Sequence, residues 1–175
     1  SAVIAASALR SLESGELGYT ARQLPEVLEG ATEGLAVLTH DNPDPDSIAS
    51  AVALQAIARE HGVDAVINYD GEIGHQENRA FVNLLGIELV PLSEGKPLSE
   101  YGAIALVDHM KSGDPDLDVD VDIFIDHYEP DEDIEAAFTD VRPNVSSTST
   151  ILTKYLQEFD LSPTEAVATA LLYGI

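Results

Sequence analysis

Leu35-Ala36-Val37-Leu38-Thr39-His40-Asp41-Asn42-Pro43-Asp44-Pro45-Asp46-Ser47-Ile48-Ala49-Ser50 is the stretch whose reading decides the fold. Its first five residues form an apolar run of strand length. From Ile48 to Glu60 the apolar positions suit a helix, with Ser47 as the expected N-cap. A buried strand running straight into a helix is the start of a parallel βαβ unit. The turn between them carries the imidazole of His40 and the carboxylates of Asp44 and Asp46. Pro43 and Pro45 stiffen the backbone around those groups and lower the entropy cost of holding them. Open α/β sheets place their chemistry in such turns, beyond the carboxyl ends of the strands.

Outward from this stretch the same alternation repeats. Ala65–Tyr69 reads as a strand, Gln76–Leu85 as a helix closed by Gly86, and Ile87–Val90 as a short strand before Pro91. Leu92–Tyr101 reads as a loop, Ala103–Val107 and Val121–Ile125 as strands, and Lys111–Asp120 as a turn region between them. Ala137–Val141 is the last expected strand. Ser146 or Ser147 caps a helix through Phe159, and Pro163 opens a final one. Strands alternating with helices predict an α/β fold: a doubly wound, mostly parallel sheet with helices on both faces. Upstream, Ala2–Leu12 is expected to be helical with Gly15 as its stop, and Leu24–Leu28 to add a short helix with Pro25 in its first turn. Residues 1–33 are therefore expected to be a helical segment or linker, and residues 34–175 the domain. The chain begins at Ser1 without a methionine, which suggests a trimmed start.

Composition narrows the function. The 175 residues include 32 acidic and 8 basic side chains, a formal net charge of −24, yet 45% are hydrophobic. That apolar content predicts a packed core rather than disorder. The negative field disfavours a phosphate-tracking surface, so duplex nucleic acid is not an expected partner. A small anionic substrate remains compatible where metal ions supply positive charge locally. Salt adaptation is the expected source of most of the acidity, since molar salt shortens the Debye length to about 3 Å. No cysteine is present, which excludes disulfides and thiolate metal sites. No apolar run is long enough to span a bilayer and no basic signal-peptide start is evident, so the cytoplasm is the expected location.

Three strands end alike: LAVLT on His40, IALV on Asp108-His109 and IFI on Asp126-His127. In a parallel sheet those ends share one edge, so the groups are expected in one crevice. Asp-x-Asp alone says little, because the pattern occurs six times in this acidic chain. The repeated strand-end imidazole is the stronger sign. Imidazole with carboxylate is ligand chemistry for Mn²⁺ or Mg²⁺, with Zn²⁺ as an alternative. Two ions would need a bridging carboxylate, and Asp108 is its natural candidate. No nucleophile elbow and no Walker loop is found, which leaves metal-assisted hydrolysis of a phosphoester or phosphoanhydride as the simplest reaction class. Ser146-Ser147-Thr148 could present an anion-binding helix start or plain caps. His61 and His75 read as surface positions.

HDNPDPDSIAS resembles the first motif of the DHH-family phosphoesterases, IALVDH their second, and IFIDHYEP the Asp-His-His motif that names them. GEIGHQENRAFVNLL between the first two is similar to the exopolyphosphatase-related and oligoribonuclease branch. The resemblance implies a two-Mn²⁺ centre, Mg²⁺ being the alternative, that hydrolyses phosphodiester or phosphomonoester bonds through a metal-activated water. It implies His40 and Asp44 on one ion, Asp46 on the other, Asp108 bridging and His127 completing the set, with Asp108 and His127 catalytic. Asp126 would lie behind them and orient a ligand. The resemblance implies a substrate contact at Tyr128; from the residues alone, Arg79 could hold a phosphate or form a helix-surface ion pair, and Asn42 could donate to a substrate oxygen or cap the turn. Tyr128 stands where the family has its second histidine, and a phenol carries no positive charge near neutral pH. The family's last metal-binding aspartate follows a Gly-Ile pair, whereas this chain stops at Gly174-Ile175, which implies C-terminal truncation and a site one ligand short. Implied substrates are small nucleotides, short oligonucleotides or polyphosphate. Two rivals remain open: an exopolyphosphatase or pyrophosphatase acting on phosphoanhydrides, and a catalytically degenerate nucleotide-binding regulatory domain. A homodimer and an upstream regulatory domain in the parent chain are compatible with each.

Overall fold

The computed structural model describes residues 15–109, 119–130 and 134–175. Six strands are defined: β1 (Leu35–Leu38), β2 (Ala65–Tyr69), β3 (Leu89–Pro91), β4 (Ala103–Val107), β5 (Ile123–Asp126) and β6 (Phe138–Val141). They form one sheet in the order β3-β2-β1-β4-β5-β6, and every pairing is parallel. The chain thus winds outward from β1 to β3, crosses to β4 beside β1, and winds the other way to β6. The reversal between β1 and β4 opens the crevice where such sheets bind ligands. The expected doubly wound parallel sheet is the observed one.

The helices are α1 (residues 15–21), α2 (Leu24–Glu29), α3 (Pro45–Glu60), α4 (Gln76–Leu85), α5 (Thr148–Glu158) and α6 (Glu165–Gly174). The two sheet faces are covered unequally among the described residues. Leu35, Val37, Ala105, Val107, Ile123 and Ile125 share one core with buried residues of all six helices. The alternate strand positions Ala36, Leu38, Ile104, Leu106 and Phe124 form a second core against Leu92, Leu98, Tyr101, Val119, Val121, Ile134 and Ala136. The described cover on that face comes from the crossover segments, with one 3₁₀ turn at Leu98–Glu100. The expected layer of helices is thus met on the first face alone among the described residues. Gly95, Pro97 and Gly102 keep the β3–β4 crossover irregular.

Several expected boundaries move, each for a local reason. Asp44, not Ser47, caps α3: its Oδ1 accepts from the Ser47 N–H at 2.9 Å, and Pro45 takes the first helical position, where a missing N–H is harmless. Gly86, at φ 63°, ends α4 in the left-handed region, and the Ile87 N–H turns back to the Val82 carbonyl. That cap occupies Ile87, so β3 begins at Leu89 and extends through Pro91. An edge strand tolerates the missing donor of a proline. β5 starts at Ile123 and runs to Asp126, and Thr164 caps α6 with Pro163 just outside it. Gly15 does not stop a helix, because residues 15–21 are helical. The Ala2–Leu12 helix and most of the Lys111–Asp120 turn lie outside the described residues.

Residues 15–33 pack on the sheet's helical side. Ala21, Leu24 and Leu28 are wholly buried, each leucine contributing about 1.5–3 kcal/mol. At the β6 edge, buried Asp140 accepts from Tyr155 Oη and Arg142 Nε, both at 2.5 Å, while Arg142 Nη2 reaches Thr20 of α1 at 3.2 Å. α6 approaches the first turns of α3 and α5 at Gly174. A Cβ there would lie 2.5 Å from Ser149 Oγ and 2.8 Å from Ala49 Cβ.

Candidate metal centre

Each ligand-type side chain stands at or just beyond the carboxyl end of a central strand. His40 follows β1. Its Nδ1 lies 2.6 Å from the Asp41 carbonyl oxygen, which assigns the proton to Nδ1 and leaves Nε2 as the acceptor nitrogen. That Nε2 is buried, has no hydrogen-bond partner and lies 4.0 Å from Asp44 Oδ1. Asp108 follows β4 directly. Its left-handed backbone (φ 50°) turns the chain at the sheet edge, and its N–H donates to the Ile125 carbonyl of β5. Asp126 ends β5, and its Oδ1 accepts from the Tyr128 N–H at 2.8 Å.

Asp46 sits in the first turn of α3 and faces the start of α5. Its carboxylate accepts from the N–H groups of Thr148 (2.9 Å) and Ser149 (2.7 Å), and from the Ser149 hydroxyl. A carboxylate at the positive end of a helix dipole is stabilised there. The anion that the α5 N-terminus holds is therefore a side chain of the chain itself. Ser147 still provides the cap, accepting from the Thr150 N–H.

Thr148 ties the inner groups together. Its hydroxyl donates to Asp108 Oδ1 at 2.9 Å and lies 2.9 Å from His127 Nδ1. The same His127 nitrogen is 3.2 Å from Asp108 Oδ1, 3.7 Å from Asp46 Oδ2 and 3.8 Å from Asp126 Oδ1. Burial pushes the Asp108 carboxyl up to about 8, and the Asp46 charge adds to the rise. Burial also raises Asp126, against the opposing hydrogen bond from the Tyr128 N–H.

Two ligand sets result, and they share one residue. His40, Asp44 and Asp108 form the first, Asp46, Asp108 and His127 the second, with one ligand atom per residue and all such atoms within 4.8 Å of one another in each set. The donors are nitrogen and oxygen alone, which suits Mn²⁺, Mg²⁺ or Zn²⁺. An orphaned buried imidazole nitrogen and a carboxyl raised by burial and by neighbouring negative charge are both relieved by a divalent cation. The residues fit the implied metal.

The structure brings together all five expected ligand-type residues, with Asp126 behind His127. Tyr128 is half-exposed at the rim, its ring centroid 4.2 Å from that of His127. Asn42 and Arg79 are engaged with backbone: Asn42 Oδ1 accepts from the Gly74 N–H at 2.6 Å, and Arg79 Nη1 donates to the carbonyls of Ile73 (2.6 Å) and Gly74 (3.2 Å). Sequence reasoning missed Thr148 and Ser149 as partners of Asp108 and Asp46. Their signal was the hydroxyl run Ser146–Thr150 that follows the last strand. His109 is also buried at this edge. No described helix is long and apolar enough to cross a membrane.

Residues 35–175 match the profile of the DHH family, N-terminal domain. An uncharacterised protein of Methanocaldococcus jannaschii is 48% identical over 142 residues, which are 81% of this chain and 29% of that protein. A probable manganese-dependent inorganic pyrophosphatase of Listeria monocytogenes is 30% identical over 144 residues, covering 79% of this chain and 46% of that protein. The chain thus spans less than half the length of either relative. In fold it is similar to an exopolyphosphatase-related protein from Bacteroides fragilis, with a TM-score of 0.67 and 17% identity over 89% of this chain and 48% of the other.

Proposed function

This chain belongs to the DHH family, and from that premise we propose that it is a manganese-dependent phosphoesterase domain that hydrolyses phosphodiester or phosphomonoester bonds of nucleotides or short oligonucleotides. The observation that carries the reading is the sharing of buried Asp108 between two ligand sets, which is the arrangement two adjacent cations require. His40 and Asp44 would hold one ion, Asp46 and His127 the other, and Asp108 both. Bound manganese supplies the positive charge that grips a phosphate oxygen and acidifies water at the reacting phosphorus.

The chain's own residues do the rest. The Thr148 hydroxyl, donating to Asp108, keeps the shared carboxylate turned into the crevice. Asp46 is held by the amides of α5, so its orientation does not depend on a mobile partner. Asp126 fixes the backbone turn that carries His127 and Tyr128. The Tyr128 phenol, at the rim, can donate one hydrogen bond to a substrate oxygen. The net charge of −24 supports operation in high salt, where exposed carboxylates are screened.

A second reading, hydrolysis of phosphoanhydrides, is favoured by the 30% identity to a probable inorganic pyrophosphatase. A substrate panel with Mn²⁺ in molar KCl separates the two. Mononucleotide release from a dinucleotide, or phosphate release from a nucleoside bisphosphate, supports the phosphoesterase. Turnover of pyrophosphate or tripolyphosphate alone would support the second reading and reject the first.

A further inference from the structure

We propose that Arg79 is a positioning residue for the His40–Asp44 half of the metal centre, acting with Gly74 and Asn42 across the two loops that follow β1 and β2. The inference rests on the two-ion reading of the crevice and assigns Arg79 a part away from the substrate.

The backbone between the ligands His40 and Asp44 is three residues long, and each is held by a named partner. The Asp41 carbonyl accepts from His40 Nδ1 at 2.6 Å, which turns Nε2 inward. Asn42, in the left-handed region at φ 53°, uses its Oδ1 to accept the Gly74 N–H at 2.6 Å. The Pro43 carbonyl accepts from Asn78 Nδ2 at 3.2 Å, and Asn78 is buried. Two of these three partners lie beyond β2, Gly74 in the loop before α4 and Asn78 in the first turn of α4. Arg79, on α4, reaches back to that loop: Nη1 donates to both the Ile73 and Gly74 carbonyls and so fixes the peptide whose N–H reaches Asn42. The fit at the contact is tight, since a Cβ on Gly74 would lie 2.8 Å from Asn42 Oδ1.

The other half of the centre uses none of this. Asp46 is held by Thr148 and Ser149, and Asp108 by Thr148, all on α5. Loosening the Arg79 brace should therefore weaken one ion and spare the other.

The test is Mn²⁺ titration by calorimetry on the wild-type protein and on Arg79→Ala, Asn42→Gly, Gly74→Ala and His40→Ala. Asn42→Gly keeps the positive φ accessible while removing the acceptor. The wild-type isotherm should show two binding steps, and His40→Ala should identify the step that belongs to the His40–Asp44 set. Arg79→Ala, Asn42→Gly and Gly74→Ala should each weaken that step by about 10–100-fold, the range typical of groups that orient metal ligands, and leave the other step in place. Arg79→Ala placed in the His40→Ala background should add nothing to the surviving step. Equal loss of both steps, or unchanged binding with only a raised KM, overturns the positioning role and leaves the two-ion reading standing. A wild-type protein that binds fewer than two ions overturns both.

Discussion

The two halves of the centre are built differently. The side chains of His40 and Asp44 are 24% and 54% exposed, whereas those of Asp46 and His127 are 14% and 13% exposed and that of Asp108 is 4%. The outer half hangs from a three-residue turn braced by the Gly74 N–H of a neighbouring loop and by the Asn78 and Arg79 side chains at the start of α4. In the inner half Asp46 is seated on backbone amides at the start of α5, and Asp108 and His127 share the Thr148 hydroxyl. Amides fixed by a helix survive any side-chain substitution short of unfolding the helix, while a side-chain brace is undone by one change. One crevice thus contains a buried half anchored on α5 and a more exposed half braced by a loop and α4, joined at Asp108.

The largest expected effect comes from breaking that joint. Asp108→Asn should remove a ligand from both sets and lower activity by far more than the about 100-fold that a supporting group commands. Retention of two tight Mn²⁺ steps, read by calorimetry, would break the comparison, because neither half would then depend on Asp108. Thr148→Val keeps the α5 amide on Asp46 but deletes the hydroxyl shared by Asp108 and His127. It should weaken the inner ion by about 10–100-fold and the outer one less. Gly174→Ala probes the inner half through packing. The added methyl would crowd Ser149 and the start of α3, with an expected cost of about 1–3 kcal/mol in urea denaturation.

The last effect is a pH dependence of the metal-free protein. Asp108 is raised to about 8 by burial and by Asp46, whereas an unfolded aspartate titrates near about 4. Between those values the folded protein holds a proton that the unfolded chain has released, so stability falls as pH rises through this window and levels off above about 8. Chelator-treated protein should therefore resist urea better at pH 5 than at pH 8, and Asp108→Asn should flatten that slope.

How much of this was legible in the sequence follows from range. The change from strand run to helical spacing at residues 35–50 is local, and it was enough to place β1, α3 and the crevice between them. The repeated imidazole after apolar strands was enough to gather His40, Asp108 and His127, because parallel strands share an edge. The cap of α3 differs from the expected Ser47 because Asp44 has two competing uses, and Pro45 at the first helical position favours a cap three residues earlier than periodicity suggests. The partners of Asp46 lie more than a hundred residues away on α5. A run of serines and threonines gives no local sign of which carboxylate it will face. The Arg79 brace was invisible for the same reason: a scarce cation beside a cleft reads as a substrate contact until the carbonyls it holds are seen.

The shared carboxylate is tested most directly by Mn²⁺ stoichiometry with paramagnetic resonance on the wild-type protein. Two ions per chain whose spectrum shows them coupled to each other, with the coupling lost in Asp108→Asn, is the predicted result. A single isolated ion, or two uncoupled ions indifferent to Asp108→Asn, would contradict it.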